Sequence, residues 1–369
     1  MQSKSYILMV VVMFLNLGLK KVSGFFTTLF VLIFAFSLIL FSKECAEGAI
    51  RGILLSLKIL IPTLFPFMVL SSFIIKSGLS SVLGKPFEKA MKLLFGLNKN
   101  FASVMILGML GGYPVAAKGI SSLYENGDAS IEECKNASLY MVCAGPGFII
   151  NYVGVSLYSD KRIGVLLLFA QICSVIICGI INKITRKEKF YSNTKSEKKS
   201  NKSNNFCSSL VEAVYEGSKG IFTICSFVVL FSGITGILCS LIDNKTIKNL
   251  ILLLCEVCTA VNTLSKDSGI FAVAFAIGFG GLCVHFQIFS TLGKIKVNTK
   301  LFFLYRILAG TITGLIAFIG MKFFIGYEAV FSVARATTTG PYNGSYISAT
   351  ALIILMVCFL YTIKNTRTN

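Results

Sequence analysis

Polar positions along the 369-residue chain fall in bands, and between the bands lie apolar stretches long enough to cross a bilayer. Residues 25–42, 137–159, 163–182, 221–242, 268–293 and 346–363 contain no Lys, Arg, Asp or Glu. Runs at 59–75, 101–117, 250–264 and 301–321 follow the same pattern, broken only by a Pro or Gly cluster or a single ionisable residue. A hydrocarbon layer roughly 30 Å thick is spanned by about 20 helical residues. The pattern therefore predicts about 8–10 transmembrane or re-entrant helices. Open strands would leave unpaired backbone groups in lipid, and the runs lack the alternation of a barrel. The expected fold is an all-α, polytopic integral membrane protein whose partner is the lipid bilayer.

Composition agrees with this reading, because 55% hydrophobic residues, a mean hydropathy of +0.79 and 14% charged residues leave too little polar surface for a soluble domain. The net charge of +19 is concentrated where residues 183–202 carry eight basic and two acidic side chains among Ser and Asn. Such a stretch is a solvated linker, and the positive-inside rule puts it in the cytoplasm. Only Phe190 and Tyr191 are present there for stacking, so nucleic acid is not an expected partner. The linker, 183–205, separates a first membrane half, 25–182, from a second, 206–369. Residues 1–24 form an N-terminal extension whose apolar run, 6–19, reads as a signal peptide, an over-long start or a weakly inserted helix.

The halves share a design. Each places an amphipathic stretch (45–57 and 206–220) before a long apolar run, and a glycine cluster further on. Residues 106–114 can be laid on 276–284 so that Gly108 meets Gly278 and Gly111 meets Gly281. Pro lacks an N–H and Gly tolerates nearly any dihedral, so Gly111-Gly112-Tyr113-Pro114 should break its helix. Residues 143–148, with Gly145 and Pro146, repeat the device, and Pro62 and Pro66 also lie in apolar sequence. One reading of these positions is close helix packing. The other is a midplane binding site of the kind that duplicated, interrupted segments form in secondary transporters.

Ionisable groups within the membrane point to solute or ion paths because burying them is costly. Glu256, the single His285, Arg306 and the border residue Lys118 stand out, with Asn151, Asn262 and Gln287 as uncharged company. Arg306 and Lys118 lie near segment ends, where snorkelling to the interface is an alternative role. On a regular helix Gln287 points away from His285. The candidate substrate-binding residues are Gly111, Gly112, Tyr113, Pro114, Lys118, Gly145, Pro146, Asn151, Glu256, Gly280, Gly281, His285, Gln287 and Arg306. Most of the twelve cysteines sit in apolar runs as small hydrophobes. Cys255 and Cys258 make a lone CxxC on a predicted helix, so no metal or cofactor is expected. With one His and no HExxH, GxSxG or phosphate loop, the chain is not expected to be an enzyme.

At these positions the sequence resembles the sporulation integral membrane protein YlbJ (SpoVV) family, within the nucleoside-recognition or gate-domain group. Gly112-Tyr113-Pro114-Val115-Ala116-Ala117-Lys118 is similar to its G-Y-P-x-G-A-K signature, and Ala144-Gly145-Pro146-Gly147-Phe148-Ile149 to its A-G-P-x-F-I segment. Leu254-Cys255-Glu256-Val257 resembles its L-x-E-V segment, and residues 278–287 its G-F-G-G-L-S-V-H-x-Q segment. Ala116 stands in place of a Gly, and the Asn expected just before A-G-P is absent. The resemblance covers roughly residues 25–363. It implies a role in endospore formation, moving dipicolinate across the outer forespore membrane, and a distant similarity to concentrative nucleoside transporters. A nucleoside-like solute and a non-transporting role in spore envelope assembly are the alternatives. A homo-oligomer or other sporulation membrane proteins are the protein partners it allows.

Overall fold

The computed structural model describes residues 24–186, apart from Gly78, and 206–324. The apolar run at 346–363, the N-terminal extension and most of the basic linker lie outside the described residues. All the regular structure described is helical, and five stretches, one of them interrupted at Gly280, are long and apolar enough to cross a membrane.

The first half begins with α1 (Gly24–Leu40) and α2 (Ser42–Lys76). The amphipathic stretch and the run at 59–75 are thus one 35-residue helix. Pro62 and Pro66 do not break it. A π-turn at Ser56–Leu60 precedes Pro62 and absorbs the mismatch between the proline ring and the preceding turn. After short helical turns over residues 80–95 come α3 (Phe101–Gly111) and α4 (Tyr113–Glu125). Next are α5 (Ile131–Tyr140), the π-helical α6 (Gly147–Leu157) and α7 (Lys161–Thr185). The second half runs α8 (Phe206–Ser240), α9 (Lys245–Cys255), α10 (Val257–Asp267), α11 (Ile270–Phe279), α12 (Gly281–Leu292) and α13 (Thr299–Phe324).

From α2 and from α8 onward the order of elements is the same: a long helix, two interrupted pairs, a long helix. Corresponding long helices pack antiparallel. Gly236 of α8 abuts Glu44 at the start of α2, and Ser209 reaches Lys76 at its end. Likewise Leu166 of α7 meets Gly320 of α13, while Asn182 meets Tyr305. Antiparallel pairing of equivalent elements is the mark of an inverted repeat. Glycines set the closeness of the α2–α8 contact, since a Cβ on Gly48 would lie 2.3 Å from the Ser232 carbonyl oxygen.

Two of the interrupted pairs are hairpins rather than crossings. Gly108 of α3 packs on Ala116 of α4, and Val104 on Gly119, so the chain turns back at Gly112. Both ends of this hairpin share one face, where Asn98 and Asn100 donate to the Asp128 carbonyl at 3.3 and 3.2 Å. Glu133 ties the start of α5 to the same place, accepting from the Asn98 and Ser130 backbone N–H groups. In the second half α9 and α10 pack on each other around Glu256 and enter from the opposite face. The runs at 101–117 and 250–264 are therefore re-entrant. By contrast α5–α6 and α11–α12 are interrupted crossings.

This element order corrects the pairing suggested by the glycine clusters. Residues 106–114 belong to the first interrupted pair of their half, and 276–284 to the second of theirs. The structural counterpart of Gly112 is the break at Glu256, and that of Pro146 is Gly280. Small residues recur at every break, so letters alone cannot choose between them.

Two tests follow from this fold. In a cysteine-free background, Lys99→Cys and Asn126→Cys should react with an impermeant maleimide from one side of sealed vesicles, and Lys245→Cys and Lys266→Cys from the other. A hairpin whose ends labelled from opposite sides would overturn the re-entrant assignment. Gly48→Val should lower the thermal midpoint, by about 1–3 kcal/mol of overpacking, whereas an unchanged midpoint would mean that the α2–α8 contact is looser than described.

Candidate solute site at the helix breaks

The breaks of each half lie side by side. A Cβ on Gly112 would stand 3.2 Å from the Gly145 nitrogen, and one on Gly281 3.2 Å from the Glu256 nitrogen. Gly112, Gly280 and Gly281 have φ of 83°, 89° and 73°, the left-handed region that favours glycine. The two halves meet where the Tyr113 hydroxyl, at the tip of the first hairpin, donates to the Ile277 carbonyl at 2.5 Å.

A narrow cavity of about 50 Å³ lies where the breaks converge. Gly111–Pro114, Gly145 and Phe148 line it from the first half, and Glu256, Cys258, Cys283 and Gln287 from the second. Leu60 and Leu64 of α2 with Ile224 and Val228 of α8 form an apolar wall. The first turns of α4, α6, α10 and α12 all face this space. Backbone N–H groups at such ends carry partial positive charge. Those of α4, α6 and α12 have no side-chain cap. That of α10 is capped by Glu256, whose carboxylate accepts from the Cys258 and Thr259 N–H groups at 2.8 and 2.6 Å. The carboxylate is fully buried.

Opposite charge serves the other ends. Arg306 is 1% exposed, so it does not snorkel to the interface. Its guanidinium donates to the Val142 carbonyl at 2.6 Å, the Phe279 carbonyl at 3.1 Å and the Gly278 carbonyl, and lies 5.6 Å from the Tyr113 ring centroid. A cation here satisfies carbonyls freed at the ends of α5 and α11 and complements their dipoles. His285 has a related place. Its Nε2 donates to the Phe279 carbonyl at 2.8 Å, and its ring is enclosed edge-on by Phe279, Phe302 and Phe303.

Of the candidates drawn from the sequence, Gly111, Gly112, Tyr113, Pro114, Gly145, Glu256 and Gln287 line the cavity. Pro146, Gly280 and Gly281 shape the breaks behind it. His285 and Arg306 lie on the far side of the breaks, and Gln287 faces the cavity away from His285, as helical phase requires. Lys118 is half exposed and paired with Glu216, and Asn151 is also off the lining. Cys255 and Cys258 do not share a helix, because the chain breaks between them at Glu256 (φ −148°, ψ 115°). Cys258 and Cys283 were missed as lining residues because buried thiols read as packing. The clue was their place beside the L-x-E-V and G-F-G-G segments.

Residues 57–185 match the Gate family model, described as nucleoside recognition. The chain is also similar to the sporulation integral membrane protein YlbJ of Bacillus subtilis (strain 168), 24% identical over 173 residues, 47% of this chain and 42% of that protein. The aligned part thus spans less than half of the relative's length. No solved structure matches.

Replacing Arg306 tests its role as a staple. Arg306→Leu strands the carbonyls it serves, and hydrogen bonds to a charged group contribute about 1.5–3 kcal/mol each. A fall in thermal midpoint far larger than that from Arg162→Leu, an exposed pair with Asp160, is expected. Equal effects would remove Arg306 from the framework.

Proposed function

We propose that this Gate-domain protein is a secondary transporter of a small anionic solute, and that the solute is dipicolinate, moved across the outer forespore membrane during sporulation. The observation that carries the reading is the meeting of four half-helix N-termini on one cavity between inverted halves. Re-entrant tips and interrupted crossings at a shared centre give a solute site that both faces can reach in turn. The uncapped starts of α4 and α12 suit a carboxylate, and the wall of Leu60, Leu64, Ile224, Val228 and Phe148 suits a flat aromatic ring. The printed name of the Bacillus subtilis relative supplies the link to sporulation. No bond-making step is part of the proposal.

The cavity is small. A water needs about 10–15 Å³ of such volume, so 50 Å³ admits a few waters and no aromatic dicarboxylate. Loading requires the hairpin tips to part from the α2–α8 wall. A second reading has its own support. The Glu256 carboxylate is an acceptor inside the site, and the matched family is described by nucleoside recognition, so a neutral, hydroxyl-bearing nucleoside is the competing solute.

Uptake of labelled dipicolinate into proteoliposomes, with a nucleoside and a monocarboxylate as competitors, separates the two. Saturable dipicolinate uptake should fall at least about ten-fold in Gly112→Val, and stay within about two-fold in Lys118→Gln. Uptake of the nucleoside instead would select the second reading. A folded protein that moves neither would sink both.

A further inference from the structure

Residues 80–95 are too short and too irregular to cross a membrane, being a chain of single helical turns: Ser80–Gly84, Lys85–Phe87, Glu88–Ala90 and Met91–Phe95. Met91 and Phe95 anchor the segment, each 2% exposed. Gly84 packs against Ser103 of α3, and several large side chains look outward. Val82, Phe87 and Leu93 are 57%, 50% and 71% exposed, and Lys85, Lys89 and Lys92 stand exposed among them. An outward face that is both apolar and cationic fits neither water nor hydrocarbon alone. It fits the boundary between them, with apolar side chains against acyl chains and ammonium groups among headgroups.

The segment is fixed to the basic face of the molecule. Arg186 donates to the Phe95 and Gly96 carbonyls at 2.9 and 2.6 Å, and Lys183 to the Leu93 carbonyl. The linker leaves from this point, and between 183 and 202 it holds eight basic side chains against two acidic. Residues 76–99 add Lys85, Lys89, Lys92 and Lys99 against Glu88, while Lys76 is paired with Glu212. We propose that residues 80–95 form an interfacial docking surface for anionic phospholipid headgroups of the leaflet that faces the linker. The charge complementarity selects anionic over zwitterionic lipid, because each basic group near a charged leaflet adds attraction. This inference is independent of the solute.

The test reconstitutes the full chain in vesicles of equal phosphatidylglycerol and phosphatidylcholine, extracts it in polymer-bounded native discs, and measures the lipid ratio retained. Enrichment of phosphatidylglycerol is expected for the wild type. It should fall at least about five-fold in Lys85→Gln/Lys89→Gln/Lys92→Gln, and persist in Lys43→Gln/Lys161→Gln/Lys266→Gln, which removes equal charge from the opposite face. Equal loss in both variants, or no enrichment in the wild type, would overturn the proposal. Should the first variant misfold, the wild type in 0.5 M salt gives the same decision. Retained enrichment there would mean that charge is not the cause.

Discussion

A backbone that stops being helical inside hydrocarbon must have its freed N–H and C=O groups met by protein, because lipid offers no partners and each unmet group costs several kcal/mol. Among the described residues the chain stops four times near the same place. The structure tolerates the breaks by sorting their two kinds of orphan group. Carbonyls released at the ends of α5 and α11 go to Arg306, with His285 sharing the Phe279 carbonyl. The first turns of α4, α6, α10 and α12 line the cavity; at α6 the Phe148 and Ile149 N–H groups return to the Gly145 carbonyl, at α10 Glu256 accepts, and those of α4 and α12 have no side-chain cap. Arg306 draws carbonyls from both halves and, with the Tyr113 hydroxyl on the Ile277 carbonyl, holds the two sets of breaks in register.

The inverted order makes that sorting possible. A hairpin presents its tip to the centre from one face only, so a site framed by two tips requires one hairpin from each side. Antiparallel pairing of α2 with α8 and of α7 with α13 provides this. It also leaves the α2–α8 pair as a glycine-packed wall beside the tips, apolar where it meets the cavity.

Much of this was legible in sequence. Hydropathy identified the membrane class, and Gly112, Pro146 and the Gly280–Gly281 pair marked where regular helix fails, since their backbone requirements are local. Direction was not legible, because an apolar run has the same composition whether it crosses or turns back. The break at Glu256 was hidden for another reason. Glu is a good helix former, and only its fold-dependent place as a cap makes it an end. His285 and Arg306 were recognised as costly buried groups, yet cost does not tell whether a polar group serves a solute or the backbone. Here the nearest unmet groups were carbonyls, and both side chains serve those.

The same sorting sets the electrostatics of the cavity. With Arg306 spent on carbonyls behind the breaks, its charge is complemented by their dipoles and does not line the cavity. What faces it is the partial positive charge of helix starts and one carboxylate already engaged by two N–H groups. A fixed Lys or Arg in the lining would hold a carboxylate solute tightly and release it slowly. Distributed N–H groups bind more weakly, and any separation of the tips would disperse them, so the attraction depends on the geometry that creates it. A site made of broken backbone therefore ties affinity to closure, the property that the proposed transport of a small anion requires.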